Sequence, residues 1–370
     1  MQGSADARSA VPTDASRAFT YDAPSSRVVF GPGKVDSLGE ELDRLGVRRA
    51  LLVTTGRDRA LVDRVASALG ERWVATFDRV RPHVPVEVAV AARQLATDTQ
   101  ADGAVSIGGG STTGTAKAVA LTHAIPVVAV PTTYAGSEAT AVWGLTEDGV
   151  KTTGVDLQVL PRTVLYDPEL TFDLPAELSA VSGLNAMAHS VEAFWASGRN
   201  PVSSALAERS IRALAVALPA VLADPHHLAV RSEALLGAWL AGAAFAVAGS
   251  GLHHRICHVL GGAYDLPHAQ THAIVLPHVL AYNAPAAPEA AERMADALGV
   301  DDAASGLRAL NRQLGVPAGL RSVGLAEDQL ADATERVLAK VPDDNPRPMD
   351  RDEVASLLHA AWQGIGEEPG

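Results

Sequence analysis

The 370-residue chain has a single cysteine, Cys257, so an internal disulfide is excluded and a reducing, cytoplasmic setting is expected. Basic residues are in deficit. Thirty Lys and Arg face 43 Asp and Glu for a formal net charge of −13, leaving no basic field for phosphate, so no nucleic-acid partner is expected. The first residues, MQGSADARSAVPTDASRA, lack the apolar stretch of a signal peptide and read as a small, polar, disordered tail over 1–18. Long apolar runs are also scarce. The longest uncharged one, Ala234 to Leu252, is rich in Ala and Gly, runs into His253-His254-Arg255 and stands alone. It predicts a buried core helix and no membrane partner.

Histidine, by contrast, is concentrated. Gly251 to His278 holds six of the twelve: His253, His254, His258, His268, His272 and His278. His254 and His258 are four apart in an apolar run, which on a helix places both rings on one face. Asn185 and His189 repeat that spacing in GLNAMAHSVE. Gly261-Gly262 and Asp265-Leu266-Pro267 break the pattern before His268. Two helical faces and one loop histidine converging on a point are the ingredients of a metal site or an acid–base site.

The chain divides by texture. Apolar runs at 28–30, 49–54, 73–77, 102–107 and 125–130 alternate with helical periods at 61–69, 86–98 and 115–121. That alternation predicts a parallel sheet covered on both faces. Beyond about Pro168 only long Ala/Leu-rich stretches follow, at 177–197, 202–222, 229–247, 251–260, 269–282, 288–299, 303–314, 327–340 and 350–364. The expected plan is a Rossmann-like α/β dinucleotide-binding domain over 19–168 and an all-α substrate domain over 169–370.

Gly108-Gly109-Gly110-Ser111 stands where a strand meets a helix N-terminus, and Pro131-Thr132-Thr133-Tyr134 closes the next strand. Exposed amides and the helix dipole favour a pyrophosphate there. Adjacent loops at the carboxyl ends of parallel strands are where open α/β sheets take ligands.

With these motifs in view, the chain resembles the iron-containing alcohol dehydrogenase superfamily and, within it, the maleylacetate reductases, from about Tyr21 to Gly366. The resemblance rests on GGGSTTGTAKAVAL, VPTTYAGSEAT, KTTGVDLQVLPRTVLYDPEL, SGLNAMAHSVEA, GLHHRICHVLGG and DLPHAQTHAIVLPHVLAYNAPA. It implies an interdomain cleft, a homodimer, and NADH or NADPH held by Gly108, Gly109, Gly110, Ser111, Thr132, Thr133, Thr55 and Lys151. Metal-dependent relatives hold their ion with one aspartate and three histidines, which map onto Asn185, His189, His254 and His268, with His258 a further cleft histidine. The aspartate is replaced by neutral Asn185, a weaker ligand, and the same replacement is typical of maleylacetate reductases, so no metal is expected. Gly114 is a second departure, since many relatives carry aspartate there. Thr55 stands where an acidic residue would hold the ribose 2′-hydroxyl, and Arg57 is near enough to pair with a 2′-phosphate. Both coenzymes are therefore expected to serve.

The implied reaction reduces the carbon–carbon double bond of maleylacetate to 3-oxoadipate, a step in the breakdown of aromatic compounds. The small dicarboxylate substrate calls for carboxylate binding and enolate stabilisation. His189, His254, His258 and His268, if protonated, would form a cationic pocket, aided by Tyr134 and Asn185, with activity falling above about pH 8. Rival readings are a metal-dependent alcohol or aldehyde dehydrogenase, a dehydroquinate synthase-type lyase, a binding protein that has lost the chemistry, and a paralogue acting on another unsaturated oxo acid.

Overall fold

The computed structural model describes residues 19–56, 58–147 and 150–364. The tail over 1–18 and Arg57 lie outside the described residues. The strands are β1 (Arg27–Phe30), β2 (Ala50–Thr54), β3 (Trp73–Phe77), β4 (Gly103–Gly108), β5 (Val127–Pro131), β6 (Val142–Glu147), β7 (Val150–Val155) and β8 (Thr163–Tyr166). Six of them form one parallel sheet in the order β1-β8-β5-β4-β2-β3, while β6 and β7 make a separate antiparallel ribbon.

Helices α1 (Leu38–Arg44), α2 (Arg59–Leu69), α3 (Val86–Asp98) and α4 (Gly110–His123) cover the sheet. Alternate residues of one strand serve opposite faces, as the pleat requires. Leu52 and Val105 pack with Leu38, Leu42, Val65 and Leu69 on the α1–α2 side. Leu51, Val53 and Ala104 pack with Val88, Ala92 and Val119 on the other. The chain leaves β2 toward β3 and β4 toward β5, in opposite directions along the sheet. The switch point therefore lies between β2 and β4, whose ends are Thr54 and Gly108.

The second half is helical: α5 (Ala176–Glu192), α6 (Pro201–Ala223), α7 (Leu228–Ala248), α8 (Leu252–Tyr264), α9 (His268–Asn283), α10 (Pro288–Leu298), α11 (Ala303–Gln313), α12 (Leu330–Leu338) and α13 (Arg351–Gln363). Sequence signals set several of their ends. Asn200 and Ser203 form a reciprocal capping box around Pro201 at the start of α6, and Asp350 and Glu353 do the same for α13. Among the described residues, α7 is the one helix long and apolar enough to cross a membrane, and half of its most apolar window is buried. Its Ala234, Ala238 and Ala241 pack with Ile211 and Leu214 of α6 and with α5 in one core.

One buried cation ties the halves together. Arg231 of α7 is fully buried and donates to the carbonyls of Pro225 and Leu174, to Ser179 Oγ at 2.6 Å and to Tyr134 Oη at 3.2 Å. Tyr134 belongs to the loop after β5, so this side chain spans from the sheet's carboxyl edge into the helical half.

All nine helical stretches read from the sequence of the second half correspond to helices, shifted by a few residues at their ends. The sequence reading missed α1 and β6 to β8. The β6–β7 ribbon is half-exposed and carries no continuous apolar run, and α1 and β8 span only seven and four residues, too short to show a period.

Candidate active site

Between the sheet's carboxyl edge and the helical half lies a cleft of about 540 Å³. Its near wall carries Gly110, Ser111 and Lys117 of α4 with Ala135 and Ser137 of the following loop. Its far wall carries Asn185 and His189 of α5, Phe245 of α7, His254 and His258 of α8 and His268 of α9. A second hollow, between Phe30, Pro32 and the start of α7, holds neither the glycine turn nor any of these histidines.

The near wall suits a pyrophosphate. Gly108 adopts φ 143°, outside the reach of ordinary side chains. No side chain caps α4, so its first amides stay free. A Cβ on Gly109 would lie 3.0 Å from Thr133 Cγ2, and one on Gly110 would lie 3.3 Å from the Cβ of Ala135. Glycine lets these two loops approach without displacing either side chain, and the Thr132 amide donates to the Gly108 carbonyl at 3.0 Å, joining them. The cradle fits a nicotinamide dinucleotide, with Ser111, Thr132 and Thr133 offering hydroxyls. Thr55 is exposed just past the end of β2. A carboxylate does stand close by, contributed by the neighbouring strand: a Cβ on Gly56 would lie 3.3 Å from the Cβ of Asp78, just beyond β3. The sequence reading overlooked Asp78 because strand adjacency is not visible in sequence distance.

The far wall is built on Glu192. This carboxylate, fully buried at the end of α5, accepts the amides of Gly251 and His253 at 2.8 and 2.6 Å. It also lies 2.5 Å from His254 Nδ1. It thereby satisfies two free amides at the α8 N-terminus and fixes the His254 ring, whose Nε2 has no protein partner. His189 stacks on His254 with ring centres 5.0 Å apart, and Phe245 packs against both. Behind them His272 packs 4.3 Å from His268 and pairs with His253 at 2.9 Å between nitrogens.

Burial decides the charge of this set. Desolvation, then repulsion from neighbouring imidazoles, pushes His189 well below the ordinary histidine value. His258 moves the same way, and His268 falls to about 3, with Lys151 the largest influence after desolvation. The expected cationic pocket is thus corrected for these three: they are neutral near pH 7. The cation that lines the cleft from a solvent-accessible position is Lys151, at the start of β7. It is expected among the coenzyme-binding residues, and His83, His258 and His268 also lie within its field. Tyr134 is a second correction. It is fully buried and its hydroxyl accepts from Arg231, so it does not reach the cleft.

Asn185, His189, His254 and His268 are the four positions whose donor atoms would hold a metal. Asn185 Oδ1, His189 Nδ1 and His254 Nε2 are buried without partners, which invites an occupant. Yet the one group of three His, Cys, Asp or Glu among the described residues whose ligand atoms all lie within 4.8 Å is His253, Cys257 and His272. The nitrogens of His189, His254 and His268 do not close to that extent, and the fourth donor is a neutral amide. This arrangement does not fit a ready divalent site.

Lys117, absent from the sequence reading, is buried in the near wall of the cleft. Its ammonium donates to the carbonyls of Ser137, Thr140 and Val142 at 2.6, 2.8 and 2.8 Å. Burial pulls it down to about 7 against the pull of Glu138. Three carbonyl acceptors for three donors make it a brace for the 137–142 loop.

Comparisons with known proteins agree across the chain. Residues 24–168 match the family model described as iron-containing alcohol dehydrogenase, and residues 179–362 match the C-terminal model of the same family. A maleylacetate reductase of Burkholderia cepacia is 48% identical over 348 residues, covering 94% of this chain and 99% of the relative. Among solved structures, a putative alcohol dehydrogenase from Ralstonia eutropha JMP134 superposes with TM-score 0.92 at 49% identity, over 95% of this chain and 99% of that one. A maleylacetate reductase from Agrobacterium tumefaciens gives 0.90 at 43% identity, over 94% and 99%.

Proposed function

The chain belongs to the iron-containing alcohol dehydrogenase family, and from that premise we propose that it is a maleylacetate reductase, saturating the carbon–carbon double bond of maleylacetate to give 3-oxoadipate. The observation that carries the reading is a cleft that joins a dinucleotide cradle to neutral imidazoles, a free lysine and Asn185 in place of a ligating carboxylate. NADH or NADPH, when bound, supplies a hydride. Hydride added at the alkene carbon β to the ketone leaves an enolate, and a proton at the adjacent carbon completes the reduction.

The residues divide this work. The amides of Gly108 to Ser111 hold the coenzyme phosphates. Neutral His258 and His268 can each donate one N–H toward the enolate oxygen, and Asn185 adds an amide donor. His254 can carry a proton at Nε2 while its Nδ1–H stays on Glu192, which suits it to deliver the proton to carbon. Phe245 and the stacked His189 keep water from this end of the cleft.

No metal takes part in this mechanism. The unpartnered atoms of Asn185, His189 and His254 favour one competing reading, a metal-dependent alcohol dehydrogenase. Enzyme treated exhaustively with chelator and assayed for NADH consumption with fresh maleylacetate and a panel of aldehydes decides between them. Full activity on maleylacetate is expected. Loss on chelation with recovery on Fe²⁺ or Zn²⁺ overturns the metal-free mechanism, and turnover confined to aldehydes overturns the substrate.

A further inference from the structure

The segment between β3 and α3 is strained and leans into the cleft. His83 and Val84 both adopt positive φ, 61° and 50°, although neither is glycine. A left-handed non-glycine residue costs about 1 kcal/mol or more and persists only when its surroundings enforce it. Here β6 enforces it. Thr146 donates its hydroxyl to the His83 carbonyl at 2.8 Å and its amide to the Val84 carbonyl at 3.1 Å.

Gly114 makes the room. A Cβ there would lie 2.8 Å from Val84 Cγ2, so Val84 packs into space that a side chain at this position would contest. The loop then delivers a half-buried imidazole from the sheet domain across to the helical domain. The rings of His83 and His268 meet edge to face with centres 6.2 Å apart. His83, Lys151, His258 and His268 all line the cleft, and the Lys151 charge acts on the other three.

Resting on the reading of the substrate as a small dicarboxylate, we infer that His83 and Lys151 together form the subsite for one of its two carboxylates, and so set the preference for a dianion over a neutral carbonyl compound. The chemistry supports this. Lys151 lines the cleft, and desolvation there lowers its amine from the ordinary lysine value, so a carboxylate beside it favours its charged form. Desolvation and the Lys151 charge hold His83 below its ordinary value while Asp265 acts the other way, so His83 serves as a neutral N–H donor beside that cation. A lysine from β7 and an imidazole from the β3–α3 loop suit a carboxylate better than a ketone oxygen, the atom assigned above to the imidazoles of α8 and α9.

The test removes the ring without fighting the backbone. His83→Gly and His83→Asn both tolerate positive φ, and Lys151→Met removes the charge at similar length. For each variant, kcat and KM for maleylacetate, KM for NADH, the inhibition constant of adipate and the melting temperature are measured. Adipate is an unreactive six-carbon dicarboxylate. The expected result is a rise of about tenfold, a 1.4 kcal/mol effect, in both maleylacetate KM and adipate inhibition constant. The kcat, the NADH KM and the melting temperature stay near wild type, and the double variant loses less than the product of the two single losses.

An unchanged adipate inhibition constant overturns the subsite. So does a loss confined to kcat, or one confined to NADH KM. Wild-type enzyme that binds adipate through these two residues but does not reduce maleylacetate would sink the reductase reading and leave the carboxylate subsite standing. Wild-type enzyme that reduces maleylacetate yet ignores adipate would do the reverse.

Discussion

His254 Nδ1 and Glu192 Oε2 lie 2.5 Å apart in a buried pair. This contact fixes which nitrogen of the imidazole faces the substrate. Glu192→Gln should lower kcat by about 10–100-fold, the usual scale for loss of a partner behind a functional histidine. The NADH KM should hold. The amide NH₂ must confront a backbone N–H or the imidazole N–H, so about 1–3 kcal/mol of stability is also expected to go. Glu192→Asp should recover part of the rate if positioning is the role. Steady-state kinetics with thermal melts of both variants check this, and a melt change without a rate change rules out the positioning role.

Gly109→Val should raise the NADH KM strongly, because the new side chain fills the phosphate cradle. It would also press on Thr133 Cγ2, 3.0 Å from the new Cβ, and the two effects separate in the double variant with Thr133→Ala. Relief of the KM defect by Thr133→Ala would assign it to that clash and move the pyrophosphate elsewhere.

Coenzyme choice should turn on Asp78 as much as on Thr55. Thr55, which lacks a carboxylate, would by itself leave NADPH turnover within about tenfold of NADH, or 1.4 kcal/mol. Asp78, beside Gly56, opposes a 2′-phosphate by charge. Asp78→Asn should therefore shift the ratio toward NADPH and Thr55→Asp toward NADH. If neither variant moves the ratio of kcat/KM values, another residue reads the 2′ position.

Acid should destabilise the fold through its buried imidazoles. Their folded values are depressed: His268 to about 3 and His278 to about 4, with desolvation the first cause of each. His253 and His272 are lowered by the same cause. The unfolded chain therefore binds more protons below its own value of about 6.5, so stability present above that pH is lost as pH falls toward 4 and 3. Each proton of difference steepens the loss by about 1.4 kcal/mol per pH unit. Melting temperatures from pH 7.5 to 4 should drop steeply, and His278→Gln should flatten the slope. A flat profile for wild type would show these imidazoles to be charged when folded. The fall in activity above about pH 8 expected from deprotonating histidines should not occur through His189, His258 or His268.

The glycine turn and the helical histidines were legible in sequence because each is local. Gly108 to Ser111 fall at a strand–helix junction, and His254 and His258 repeat at one helical turn, so both declare themselves within a few residues. Glu192, His83 and Asp78 were not legible. Glu192 meets His254 across 62 positions, and Asp78 meets Gly56 only because β3 pairs with β2. His83 depends on two unusual backbone angles that no propensity would suggest. Tyr134 misled for the opposite reason. A hydroxyl three residues beyond a strand end reads as a ligand group until a buried arginine from a distant helix is found to hold it. The charge of the histidines also escaped, since composition says how many there are and only packing says how dry they are.

The Arg231 brace limits what can be exchanged in this family. Its donors end on neutral oxygens: one from the loop after β5, two from the opening of the helical half and one, that of Pro225, from the turn between α6 and α7. A chimera that takes its sheet half from one relative and its helical half from another therefore inherits Tyr134 from one parent and Ser179 and Arg231 from the other. If the incoming loop lacks that phenol, a guanidinium is left dry and short of an acceptor, at a cost of about 1–3 kcal/mol or more. Recombination of halves should succeed where these three positions travel as a set and fail at the level of folding, before any question of catalysis arises, where they do not.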